Sequence, residues 1–168
     1  MIKLLSAAIF ATMAFAMDLH RQKVANVWIL AGWVWGLYLQ YAAMEWGGIL
    51  PFFIGSSIPI FCLFPLFYFR MLGAGDIKLL SVLGGLLGGR AVLRLIFLSF
   101  FFGGILSLGL LVSSGTLIFR LRYFADYFKI YVKSRERRPY RQIGEREENF
   151  HFTLPVLLGV FLYVGGIC

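Results

Sequence analysis

Charge is scarce in this chain. Of its 168 residues only 14% are Asp, Glu, Lys or Arg, and only 8 carry a carboxylate. An average soluble domain is about 25% charged, so the shortage argues against an ordinary water-soluble domain. Disorder is excluded as well, because it requires few apolar residues and 60% of these are hydrophobic. Cysteine is nearly absent. Cys62 and Cys168 are the two present, and without a Cys-x-x-Cys pair they make neither a disulfide framework nor a zinc motif. Histidine is limited to His20 and His151, and two imidazoles lacking a third ligand nearby are a poor basis for a metal site. Length adds a bound. A membrane-crossing helix needs about 20 residues, so there is space for at most about seven crossings and for no large extramembrane domain.

What the chain has is long apolar runs, with 18 Phe, 19 Gly and a mean hydropathy of +0.82. Six stretches stand out: Leu4 to Met17, Val27 to Ala43, Ile49 to Phe69, Ile77 to Leu87, Ala91 to Phe119 and Phe152 to Ile167. The first resembles a signal peptide, with Lys3 ahead of it and Ala14 and Ala16 as a candidate cleavage site, but no soluble mature domain follows. The expected fold is an all-α integral membrane protein of six transmembrane helices, one membrane-embedded domain over residues 1–168.

Orientation follows from the basic residues, which concentrate in cytoplasmic loops. With six crossings, residues 18–26, 70–78 and 120–151 share one side. They hold every one of the 16 basic residues except Lys3, Arg90 and Arg94. That side is therefore expected to be cytoplasmic and both termini outside. The same asymmetry accounts for the net charge of +8 without a nucleic-acid partner. Within 120–151, Phe124, Tyr127, Phe128 and Tyr131 recur at helical spacing beside Arg122, Lys129, Lys133 and Arg135. This pattern reads as a basic amphipathic helix at the interface, either an anchor on anionic lipid or a surface for a substrate or partner.

Two carboxylates occupy costly positions. Asp18 and Asp76 lie at the edges of apolar stretches, where an ionisable group is a functional hypothesis by default. Two crossings separate them, so they face the same side. Counted from Lys3 and from Arg90 at about 1.5 Å per residue, both lie roughly 21–22 Å from the outer interface. Two carboxyl groups brought together share one proton. One then acts on water as a general base while the other donates to a carbonyl oxygen, which is peptide hydrolysis without metal or cofactor. The plainer alternative is that Asp76 caps the fourth helix and Asp18 simply ends the first. Gly73-Ala74-Gly75-Asp76 adds glycines, which permit positive φ and close backbone approach. An extended substrate could pair with such a loop.

These segments resemble the type IV prepilin peptidase family, the GxGD membrane aspartyl proteases. Asp18-Leu-His-Arg-Gln-Lys23-Val-Ala-Asn26 is similar to the family's Asp near the end of helix one, followed by basic residues and an Asn that opens helix two. Gly73-Ala-Gly75-Asp76-Ile-Lys78 is similar to its GxGD with Lys two residues on. His151-Phe-Thr-Leu-Pro155 with Gly159 is a weaker likeness to the start of its last helix. The resemblance covers the whole chain. It implies that Asp18 and Asp76 are the catalytic pair, with Gly73, Gly75, Lys78, Lys23 and Asn26 supporting the loop or positioning the substrate. It also implies that prepilin-like proteins are cut between a basic leader and a hydrophobic helix, at the cytoplasmic face of the cell membrane. Larger members carry paired Cys-x-x-Cys motifs and also N-methylate the product. This chain lacks those motifs, so a peptidase-only form is expected. The family's Pro before the helix-two Asn is Ala25 here.

For other residues the reading is local. Lys23 and Lys78 are also explained as ordinary positive-inside charges. Asn26 is expected to cap helix two, Cys62 to be a buried small hydrophobe, Gly84, Gly85, Gly88 and Gly89 to permit close helix packing, and Gly103 and Gly104 either to do the same or to let helix five bend. Two other functional classes compete with a peptidase. One is a small proton-coupled transporter using the same acids, which needs a polar path across the bilayer. The other is a non-catalytic pilus or secretion assembly factor, which binds prepilin without cutting it.

Overall fold

All six apolar stretches form helices in the computed structural model, which describes residues 1–21, 24–69, 71–115, 118–119, 122–124, 126 and 151–166. In chain order these are α1 (Ile2–Arg21), α2 (Asn26–Met44), α3 (Ile49–Tyr68), α4 (Ala74–Leu87), α5 (Gly89–Ser113) and α6 (Thr153–Val164). A single 3₁₀ turn, Glu45–Gly48, joins α2 to α3. No strand occurs among the described residues. Lys23 and most of the basic segment 120–151, including the stretch holding Tyr127, Phe128 and Tyr131, lie outside the described residues.

Helix ends differ from the hydropathy boundaries for local reasons. α1 runs on through Asp18 to Arg21, so Asp18 sits inside its last turn. α5 ends at Ser113 rather than near Phe119, where Gly115 turns the chain at a φ of +65°. α4 and α5 are joined by Gly88 alone, at a φ of +91°. Only glycine adopts that backbone without strain, and its N–H still closes on the Gly84 carbonyl at 2.8 Å. α3 keeps Pro59 and Pro65 in its interior, which membrane helices tolerate when neighbours satisfy the freed backbone groups.

α4 is the axis of the molecule. It is apolar on every side, and Leu79, Leu80, Ser81, Val82, Leu83 and Leu86 are all buried. A helix of that kind must be surrounded, and α1, α2, α3 and α5 pack around it. Its closest neighbour is α3. A Cβ on Gly84 would collide with the Gly55 carbonyl oxygen, and one on Gly55 with the Gly84 carbonyl. Ser81 Oγ donates across the same contact to the Ser56 carbonyl at 2.7 Å. At the far end Gln40, 4% exposed, donates to the Gly85 carbonyl at 3.1 Å and accepts from Lys3 Nζ at 2.6 Å. α6 seats between α1 and α5, with Phe152 and Pro155 filling the space left by Gly103.

The outer faces are apolar. Leu30, Phe61 and Phe97 are more than half exposed, and Cys62, expected inside, lies on the exposed face of α3. Helix periodicity turns it outward, away from the buried Leu63. Three runs are long and apolar enough to cross a membrane: Ile2–His20, Gly89–Ser113, and Asn26–Tyr68, which contains both α2 and α3. A soluble monomer rarely exposes apolar surface on this scale; the chain is a membrane protein.

Candidate active site

Four helix termini meet at one end of the bundle: the end of α1 and the starts of α2, α4 and α6. The end of α1 carries Asp18. A carboxylate there opposes the helix dipole, whose negative pole lies at the C-terminus, so α1 itself gains nothing from it. Its partners come from α6. Thr153 Oγ1 donates to Asp18 Oδ2 at 2.6 Å, and His151 Nδ1 lies 2.9 Å from the same oxygen. Facing an ionised carboxylate, which only accepts, His151 makes this hydrogen bond in the tautomer that bears Nδ1–H. Asp18 and His151 are 16% and 23% exposed, open enough for water to reach them.

Asp76 is the third residue of α4, not its cap; the cap position is Gly73. From there the Asp76 carboxylate accepts the Gly73 backbone hydrogen bond, the backward half of a capping box. A negative group in the first turn also suits the dipole. Asp18 and His151 both act on the Asp76 carboxyl through their charges. Asp18, Asp76 and His151 therefore feel one another's charge, although they come from three separate helix ends.

The glycines of the motif act differently from expectation. Neither Gly73 nor Gly75 has a positive φ; Gly73 is extended at φ −73°, ψ 146°, and Gly75 is already helical. Gly73 matters for space, since a Cβ there would lie 3.1 Å from Asp76 Oδ2. Gly75 faces open space, with nothing within 4 Å of a Cβ.

Lys78 and Asn26 are brought together, Nζ donating to Oδ1 at 2.9 Å. Asn26 is not the cap of α2. Ala25 holds that position without a side-chain hydrogen bond, and Asn26 is the first helical residue. Its side chain is turned to α4 instead. The charges acting on Asp76 are those of Asp18 and His151, whereas Lys78 is held by Asn26. Among the described residues no three His, Cys, Asp or Glu side chains gather as a metal cluster.

The sequence singles out the two acids, but it gives Thr153 no role and marks His151 only as a poor basis for a metal site and as part of a weak likeness at the start of the last helix. The available signal was two polar groups opening an apolar helix, on the side expected for Asp18. Recognising their partner requires knowing that α6 packs on α1.

The type IV leader peptidase family matches residues 5–108, a span that includes Asp18 and Asp76 and ends before His151. No curated protein and no solved structure matches the chain. The family match covers more than half of the sequence and agrees with the motifs that frame both acids, so this chain belongs to the type IV leader peptidase family.

Proposed function

We propose that this protein is an aspartyl endopeptidase, a single membrane-embedded domain of six crossings that removes the basic leader from prepilin-like proteins. The observation that carries this reading is the meeting of Asp18 and Asp76 at one end of the bundle, near enough for each to act on the other's charge. Two carboxyl groups so placed share one proton, the charge state that acid–base hydrolysis requires. One carboxylate takes a proton from water as its oxygen bonds to the scissile carbonyl carbon. The carbonyl oxygen takes the proton held by the other carboxyl. Collapse of the resulting diol breaks the C–N bond, the amine leaves with the first proton, and a diol hydroxyl returns the second. No metal or cofactor enters these steps.

The predominance of basic loops beside the two acids supports a cytoplasmic active site and outward termini. A leader carrying positive charge stays on that side, with the hydrophobic helix of the substrate in the bilayer. Gly75, whose side of the helix is open, admits an extended cleavage segment. N-methylation of the product is not part of the proposed activity, since the cysteine motifs associated with it are absent from the sequence.

The test is cleavage of a synthetic prepilin by purified protein in lipid, read by mass spectrometry. A single cut at the leader boundary, lost in Asp18→Ala and in Asp76→Ala, is expected. Retention of the cut in either variant refutes the paired mechanism. Binding without cleavage by folded wild-type protein would instead identify a non-catalytic assembly factor.

A further inference from the structure

The two carboxyl groups are held in different ways. Asp76 draws on its own helix, through the Gly73 backbone. Asp18 is gripped from α6, a segment beyond the part of the chain matched by the family. Both α6 contacts fall on a single oxygen, Oδ2: Thr153 Oγ1 at 2.6 Å and His151 Nδ1 at 2.9 Å. A carboxylate oxygen has two lone-pair directions, so these donors occupy Oδ2 and leave Oδ1 for another partner.

The start of α6 is built to keep the donors still. Thr153 is 1% exposed, and Val156 and Val160, along the same helix, are fully buried. Phe152 packs on Phe100 with ring centroids 5.2 Å apart, and Pro155 stands in the space over Gly103. A hydroxyl buried to this degree needs a partner, and Asp18 Oδ2 is the acceptor it has.

We propose that Thr153 and His151 are positioning residues that anchor Asp18 through Oδ2 as the ionised general base, its Oδ1 facing the attacking water, and that Asp76 is the proton donor. This assignment rests on the peptidase reading above. In the attack step Oδ1 takes one proton from water while the water oxygen bonds to the scissile carbon. The carbonyl π pair moves to its oxygen, which takes the Asp76 proton. On collapse, Asp18 passes its proton to the departing amine nitrogen and Asp76 regains one from the diol.

Thr153→Val keeps the shape of the side chain and removes only the donor. It is expected to lower kcat by about 10- to 100-fold, the range for a reacting group displaced by a fraction of an ångström to one ångström, with KM changed less than about threefold. Thr153→Ser returns the hydroxyl and should restore most of the rate. His151→Asn, whose amide N–H takes the place of Nδ1–H, should likewise retain more kcat than His151→Ala. All four are read on the same synthetic prepilin, with thermal midpoints in detergent to establish folding. Wild-type kcat in Thr153→Val overturns the anchoring role. So does a Thr153→Ser protein as slow as Thr153→Val, which would make the methyl group rather than the hydroxyl the working part. Failure of the peptidase reading is visible separately: the wild-type protein then leaves prepilin whole, or Asp18→Ala still cuts it.

Discussion

Lys78, in the second turn of α4, donates a hydrogen bond of 2.9 Å to Asn26 at the start of α2. The contact ties the helix that carries Asp76 to the end of the loop that follows Asp18. If its task is to hold that loop, either partner alone is useless. Lys78→Met and Asn26→Ala are each expected to lower kcat/KM several-fold, and the double variant no further than either single one. A double-mutant cycle on prepilin cleavage measures this, and additive losses would show that the two side chains act apart.

A carboxyl pair that shares one proton sets pH limits on activity on both sides. The working state has one carboxyl ionised and one protonated, so cleavage should be bell-shaped in pH. A pH–rate profile on a substrate lacking titratable groups near the cut checks this. A rate that is flat across the acidic-to-neutral range would be incompatible with a shared proton.

The two motif glycines are expected to part company. Gly73→Ala places a Cβ 3.1 Å from Asp76 Oδ2 and should lower kcat by moving the carboxylate. Gly75→Ala meets nothing within 4 Å, and the helix gains up to about 1 kcal/mol from replacing glycine. It should raise the thermal midpoint while raising KM, because the open side is where the substrate lies. Steady-state kinetics with the two variants separates the effects.

The close approach of α3 and α4 predicts where the fold is brittle. Gly55→Ala drives a methyl into the Gly84 carbonyl, an overpacking that typically costs about 1–3 kcal/mol. Gly104→Ala, inside α5 with nothing within 4 Å, should raise the thermal midpoint slightly by the same gain in helix propensity. Equal midpoints for the two would mean that the helices separate easily.

That each apolar stretch forms a helix was legible from hydropathy, because a membrane helix is specified by a continuous apolar run that no distant residue needs to complete; the ends were not, since α1 runs on to Arg21 and α5 stops at Ser113. The importance of Asp18 and Asp76 was legible for the same reason: a carboxylate beside such a run stands out by its cost. Local backbone detail was less so. Gly73, rather than Asp76, occupies the cap of α4, and Ala25, rather than Asn26, that of α2. Capping preferences are worth only about 1 kcal/mol, and a partner from another helix outweighs them.

The sequence by itself determined the helices over the six apolar stretches, the clustering of basic residues in a few polar segments, and the two acids set beside apolar runs. All of these follow from composition along a single stretch of chain. The tertiary structure decided which groups touch those acids. Thr153 and His151 reach Asp18 only because α6 packs against α1, and Asp76 feels the charge of Asp18 only because the end of α1 and the start of α4 meet. Hydrogen bonds and burial depend on distance in space, and no local pattern encodes a meeting across more than a hundred residues of chain.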